Sequence, residues 1–263
     1  MIRHRRVVLE NLRRILGKRD FFTEQRDVVL TFSQYASCLA EALGFERMQE
    51  RDIRYRVQGE HHLNELLENT AGFVVLTAHT GAWDLAAFHL QQRLRRPVMI
   101  AMKREPNTAA RQFQDAIRLR RGVEIAHVGE DAFEGLTLLR HLRRGGVVAV
   151  QLDRTLPGSR ELTAELFGTS FSFAAGPFRL AALARVPLVS VFCARLGYFD
   201  YEISVNRPIK IGSGRAMTSG DGPRRHPSDG ELETAIREVS ADLEQFLRRH
   251  PTQWFNFELT PAN

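Results

Sequence analysis

Phe73-Val74-Val75-Leu76-Thr77-Ala78-His79-Thr80-Gly81-Ala82-Trp83-Asp84 is the stretch that decides how this chain folds. It opens as a short apolar run rich in β-branched residues, which predicts a strand buried on both faces. It then passes through a glycine-bearing turn into Trp83–Leu94, whose apolar spacing predicts a helix. The alternation continues downstream, with strands predicted over 97–102, 123–126 and 147–150 and helices over 107–120 and 131–143. Phe173–Arg185 reads as a further helix, 187–192 as another buried strand, and 198–205 as a hairpin partner for 190–196. Strands alternating with helices in this way imply an α/β fold, a mixed and mostly parallel sheet flanked by helices.

Working outward, residues 3–16 read as a basic helix in which Val7, Val8, Leu9, Leu12 and Ile15 interleave with Arg3, Arg5, Arg6, Arg13 and Arg14. Its apolar stripe is expected to pack on the body, with contact to a membrane surface as the alternative. A second helix is expected over 24–42. This divides the chain into a helical extension, 1–45, packed on an α/β domain, 46–263. The glycine- and proline-rich segment 211–230, with Arg215, Arg224, Arg225 and His226, reads as a mobile loop or a disordered segment. A last helix follows to about Arg249, with Asp229 as the expected N-cap and Ser228 as the alternative, and Pro251 stops it.

The bulk numbers bound the function. A chain of 263 residues, 43% of them apolar, can bury one substantial core. Lys and Arg number 37 against 31 Asp and Glu, a formal charge of +6. Such a balance favours acidic partners: nucleic acid, anionic lipid, phosphate-bearing cofactors or an acidic carrier protein. Cys38 and Cys193 are the only cysteines, which excludes zinc-ribbon spacing and a disulfide scaffold and suits a reducing compartment. No secretory leader is read at the start, and no apolar run is long enough to span a bilayer, so peripheral contact is the membrane mode left open. His61-His62 lacks the companions of a metal site, and no metal is expected.

His79 and Asp84 stand five residues apart, about 140° on one continuous helix, so they cannot share a helical face. They meet only if His79 lies in the loop and Asp84 in the first helical turn. Asp84 would then accept a hydrogen bond from one imidazole nitrogen and leave the other as a base. The competing reading is a capping aspartate beside an unrelated histidine. Gly81 allows a tight turn or a close backbone approach, and Trp83 supports the turn by packing.

His79-Thr80-Gly81-Ala82-Trp83-Asp84 resembles the His-x4-Asp/Glu motif of glycerolipid-type acyltransferases. It is most similar to the lipid A biosynthesis acyltransferase branch, where His-x-Gly-x-Trp-Asp/Glu is common. Further blocks resemble that branch in the same order. These are Lys103-Arg104-Glu105-Pro106-Asn107, Arg118 before Gly122, Gln151-Leu152-Asp153-Arg154 and Leu166-Phe167-Gly168. They continue with Ala175 to Ala181, Val186-Pro187-Leu188-Val189 and Pro251-Thr252-Gln253-Trp254. The resemblance runs from about residue 5 to 257. The chain lacks the apolar segment that membrane-anchored relatives carry before the Arg-rich helix. It ends Trp254-Phe255-Asn256-Phe257-Glu258 where many relatives carry a basic aromatic tail.

The resemblance implies that His79 deprotonates the acceptor and that Asp84 orients it. It also implies an acyl thioester donor, acyl-CoA or acyl carrier protein, with no permanently bound cofactor. A thioester is already activated, so no acyl-enzyme is required, and no Gly-x-Ser-x-Gly is present to form one. Lys103, Arg104, Arg118 and Arg154 are candidate anion clamps, because guanidinium forks suit phosphate and carboxylate. Asp153 is expected to orient Arg154 or touch the acceptor, and Arg179 is a further substrate candidate. Gly176 and Pro177 are read as shape-setting, and Trp254 as a lid or core aromatic. Phe113, Phe171, Phe173 and Phe178 are candidates for an acyl trench.

The function expected is transfer of a fatty acyl chain to a hydroxyl or amine of a lipid or glycolipid. The expected location is cytoplasmic, peripheral on the cytoplasmic face of an inner membrane with an anionic surface. The alternatives are a thioesterase using the same pair and a basic nucleic-acid-binding protein. The latter lacks an RNP block, zinc-finger spacing or a helix-turn-helix pair.

Overall fold

The structure, a computed structural model, describes residues 2–44, 48, 52–68, 70–105, 107–120, 122–129, 134–155, 158–212 and 227–258. Two helices lead, α1 (Ile2–Leu16) and α2 (Phe21–Gly44). There follow β1 (Arg54–Gln58), α3 (Glu60–Glu68), β2 (Phe73–Thr77), α4 (Trp83–Leu94), β3 (Val98–Lys103), α5 (Thr108–Arg120), β4 (Val123–Val128), α6 (Glu134–Arg143) and β5 (Val147–Gln151). The chain continues through β6 (Glu161–Leu166), β7 (Thr169–Ala174), α7 (Gly176–Ala184), β8 (Leu188–Gly197), β9 (Asp200–Val205) and α8 (Asp229–Arg249). A short 3-10 turn, Pro251–Gln253, closes the last helix.

Seven strands form one sheet in the order β1-β9-β8-β2-β5-β3-β4, and β6 pairs with β7 in a separate antiparallel hairpin. Within the large sheet only β8 and β9 run antiparallel; the other pairs are parallel. The sheet is therefore mixed and mostly parallel, as the alternation of elements predicts. β2 carries Phe73, Val74, Val75 and Leu76, all buried, because helices cover both of its faces. One core lies under α6, α7 and α8 and includes Val74, Leu76, Phe178, Leu243 and Phe246. The other lies under α3 and α4 and includes Phe73, Val75, Leu85, Phe88 and Tyr201.

Several elements differ from the sequence expectation. The helix expected from Phe173 begins at Gly176. Thr169 to Ala174 instead alternates polar and apolar, with Phe171 and Phe173 buried, as strand β7. Pro177 then sits in the opening turn of α7, where its missing N–H costs nothing. The cap of α8 is Ser228, not Asp229: its side chain accepts from the Glu231 N–H while Glu231 reaches back, a capping box. β1, α3 and β6 are additional elements, and β1 is an edge strand whose exposed residues alternate with half-buried ones. Residues 213–226, with Arg215, Arg224, Arg225 and His226, lie outside the described residues, as does the Phe113 side chain.

The basic helix turns its stripe inward. Val7, Val8, Leu12 and Ile15 of α1 are buried, each contributing roughly 1.5–3 kcal/mol by leaving water. The membrane alternative for that stripe is thereby replaced by packing on the body. The helix whose apolar side chains remain in solvent is α2, where Phe22 is 82% exposed, Val29 66%, Leu43 53% and Leu39 49%. α2 is tied down from its other side by Glu41, which is buried, takes the Arg195 Nε–H at 2.8 Å and accepts from the Tyr201 hydroxyl. Among the described residues no helix is long and apolar enough to cross a membrane.

Candidate active site

The loop after β2 is held by the far end of the chain. Trp254 forms an antiparallel bridge with Thr80, the Phe255 N–H donates to the His79 carbonyl at 2.7 Å, and the Gly81 N–H donates to the Gln253 carbonyl at 3.2 Å. Gln253 is itself fixed by its side chain, which accepts from Arg195 N–H at 2.7 Å and donates to the Arg195 carbonyl at 2.8 Å. Gly81 has φ of +49°, and a Cβ there would stand 2.3 Å from the Cys193 carbonyl oxygen. Both the left-handed backbone and the close approach require glycine.

β2 and β5 are adjacent and parallel, with Thr77 opposite Gln151. Two residues past each strand, the same register sets His79 beside Asp153. The His79 Nδ1 lies 2.8 Å from Asp153 Oδ1, and the His79 N–H donates to both carboxylate oxygens at 3.1 and 3.2 Å. The Trp254 indole N–H donates to Asp153 Oδ2 at 2.9 Å, and the Asn256 amide donates to the Asp153 backbone carbonyl at 2.8 Å. The Asp153 side chain is fully sealed, whereas that of His79 is 19% exposed. Burial pushes the Asp153 carboxyl up, but the charge and hydrogen bond of His79, the Trp254 N–H and the charge of Arg154 outweigh it and hold it below the usual range. An ionised, sealed carboxylate at Nδ1 sets the imidazole tautomer and leaves Nε2 for the cavity that His79 lines.

The carboxylate on the His79 ring is therefore that of Asp153 and not that of Asp84. Asp84 takes Arg118 instead, with Nε at 3.0 Å and Nη2 at 3.4 Å, and the guanidinium lies 5.5 Å from the centre of the Trp83 ring. Asp84 does stand in the first turn of α4, but its carboxylate is turned to Arg118, and the parallel β2–β5 register brings Asp153 to the His79 ring instead. Arg118, expected as an anion clamp, is only 6% exposed and is committed to this pair.

The other expected residues divide by position. His79, Asp84, Lys103, Arg104, Arg118 and Arg154 line one cavity of about 970 Å³ beyond the carboxyl ends of the parallel strands, as do Gly81, Trp83, Gly176 and Pro177. Arg154 spends Nη2 on the Phe255 carbonyl at 2.8 Å and has Glu258 at 3.9 Å from Nη1. Arg179, one turn into α7, is not among the described residues lining the cavity. Trp254 is buried and serves as a donor to Asp153, in place of a lid. Phe171 and Phe173 sit with it in the core.

Gln253, Asn256, Tyr35, Asp115 and His127 escaped the sequence reading. Only Gln253 belonged to a block that carried a signal. Among the described residues no group of three or more His, Cys, Asp or Glu side chains is placed to hold a metal. Cys38 lines the cavity, but burial and the nearby Glu41 push its thiol up to about 12, so no thiolate is available near neutrality.

The chain matches the family described as bacterial lipid A biosynthesis acyltransferase over residues 1–258. It is also similar to the phosphatidylinositol mannoside acyltransferase of Mycobacterium tuberculosis (strain CDC 1551 / Oshkosh). The two are 23% identical over 252 residues, which cover 93% of this chain and 73% of that protein.

Proposed function

The chain belongs to the bacterial lipid A biosynthesis acyltransferase family, and from that premise we propose that it carries a fatty acyl chain from a thioester donor to a hydroxyl of a glycolipid, with His79 as base and Asp153 as its orienter. The observation that carries this reading is the His79 ring, pinned at Nδ1 by a sealed carboxylate and lining a cavity of about 970 Å³.

His79 Nε2 takes the acceptor proton as the acceptor oxygen attacks the thioester carbonyl. The new C–O bond forms, the C–S bond breaks, and the proton held at Nε2 passes to the departing thiolate. Asp153 stays ionised and stabilises the imidazolium between those steps. The opening turn of α7, at Gly176 and Pro177, faces the cavity with the positive end of its peptide dipole, our candidate for meeting the developing oxyanion. Asp84 acts through Arg118, holding a buried guanidinium against Trp83 at the cavity wall. The buried, protonated Cys38 supports direct transfer without an acyl-enzyme. Coenzyme A and acyl carrier protein present the same thioester, and either serves this chemistry.

The acceptor reaches the site from a membrane. Tyr35, Leu39 and Leu43 of α2 line the cavity, and Leu39 and Leu43 continue into the exposed apolar face that ends at Val29 and Phe22. Exposed Arg5 donates to Gln25 of α2, which brings a positive charge beside that helix and suits anionic headgroups. The exposed apolar face of α2 supports a peripheral location, which we assign to the cytoplasmic side of an inner membrane.

The test is mass spectrometry of lipids from cells overproducing the chain or its His79→Ala variant. A glycolipid gaining one acyl chain only with the wild type supports the reading. Identical lipid profiles together with equal thioester consumption by both proteins would sink it.

A further inference from the structure

The cavity has two unlike ends. Along α2 it is bounded by Tyr35, Leu39 and Leu43, and at the β3–β4 edge by Lys103, Arg111, Asp115 and His127. Counting strands from β2 through β5 and β3 to β4 puts this polar end roughly 14 Å from His79, at about 4.8 Å per strand. Whatever binds there is not the reacting group.

His127 sits near the end of β4, and its Nε2 lies 2.9 Å from Asp115 Oδ2 on α5. The pair is about a fifth exposed on both sides, 20% for His127 and 21% for Asp115. His127 Nδ1 is sealed from solvent with no partner among the described residues, so the ring acts through Nε2 alone. The other carboxylate oxygen, Asp115 Oδ1, has no hydrogen bond among the described residues and is not buried. The carboxylate is therefore held from one side and open on the other, towards the cavity it lines. Arg111 stands one turn earlier on α5, four residues away and on the same face, and also lines the cavity. An acceptor-only carboxylate beside a donor-only guanidinium fits adjacent hydroxyls, each of which both donates and accepts. A fully ionised phosphate alone would offer Asp115 acceptors only and leave its open oxygen without a donor.

We propose that Asp115, positioned by His127, reads the hydroxyls of a polyol head group on the acceptor, and so selects a sugar- or inositol-bearing lipid over one with a plain amine or phosphate head. The inference rests on the acyl-transfer reading, and names the part of the cavity that chooses the acceptor.

Kinetics with palmitoyl-CoA test it. The acceptors are mannosylated phosphatidylinositol, a lipid A precursor and, lacking a polyol, phosphatidylethanolamine. Thioester hydrolysis without acceptor gives the donor's own KM. The wild type should use the polyol acceptors at least tenfold better than phosphatidylethanolamine. Asp115→Asn should raise the polyol-acceptor KM about tenfold, the size of one lost hydrogen bond to a charged group, with donor KM and hydrolysis unchanged. His127→Leu should raise it about fivefold. His127→Gln, which keeps a donor towards Asp115, should restore most of the loss. Acceptor KM unmoved in Asp115→Asn while transfer proceeds, or donor KM and melting temperature shifting in step with it, would overturn the proposal. So would equal use of phosphatidylethanolamine. A wild-type chain that consumes no palmitoyl-CoA at all would instead bring down the transfer reading on which this one rests.

Discussion

Two histidines in one cavity each lean on an aspartate, His79 on Asp153 at 2.8 Å and His127 on Asp115 at 2.9 Å, yet their surroundings make them different devices. Asp153 is sealed, follows a central strand and collects donors from His79 and Trp254. It can act on a substrate only through the ring it holds. Asp115 is on a helix beside the edge strand, has one donor and keeps an oxygen open. There the roles reverse, with the histidine as support and the carboxylate as the contacting group. A His–Asp distance alone does not separate the two pairs; burial of the carboxylate and the free edge of the ring do.

The largest expected effect separates the two pairs. His79→Ala should lower kcat by about 10²–10⁴-fold, the range for removing a general base, and Asp153→Asn by roughly 10²-fold or more, with Asp115→Asn leaving kcat within about twofold. Comparable kcat losses at Asp115 and Asp153 would break the distinction. Acid stability sharpens it. Asp153 has its carboxyl held below the usual value, so it adds stability above the unfolded value near pH 4 and loses it as pH falls through the lower, folded value. The gap in melting temperature between wild type and Asp153→Asn should be widest above about pH 5, and should narrow only as pH falls below about 4 and through the lower, folded value. A gap that widens on acidification would contradict the depressed carboxyl.

Next comes the carboxylate that the motif singles out. Asp84→Ala strands Arg118, whose side chain is 8% exposed, and should cost about 2–3 kcal/mol in chemical denaturation, somewhat less than a fully buried pair because Asp84 is 26% exposed. Its effect on kcat should be smaller than that of Asp153→Asn. The reverse order would return the orienting role to Asp84. Trp254→Phe removes one N–H from the Asp153 carboxylate while keeping an aromatic ring, and about 1.5 kcal/mol of stability should be lost, with kcat reduced about tenfold or less. The smallest effect is on binding to the lipid surface. Val29→Glu, at an exposed position, should leave melting temperature within a degree or so while weakening flotation with anionic vesicles; undiminished flotation would remove α2 from the membrane face.

Much of this was legible locally. The apolar runs of β2, β3, β5 and β8 announce buried parallel strands, and the break after Thr77 announces a loop at a carboxyl edge, where α/β folds keep their sites. The family motif points to His79. What local pattern concealed was each partner. Asp153 and His79 are 74 residues apart and meet only because β5 pairs in parallel with β2 at a given register. Trp254 and Asn256 arrive from the far end of the chain, and nothing near Asn256 marks it as a support for Asp153. Asp115 and His127 carry no local signal, and they meet only because α5 docks against β4.

The residues alone determined the α/β architecture, the loop histidine, the glycine beneath it and the absence of a thiol or serine nucleophile motif, because periodicity, turn chemistry and residue type are local properties of a chain. Tertiary structure decided which carboxylate serves His79, which one holds Arg118 and which helix leaves its apolar face in solvent. Those outcomes depend on strand register and on how helices dock, which are fixed by contacts between distant residues, and spacing along the chain does not encode them.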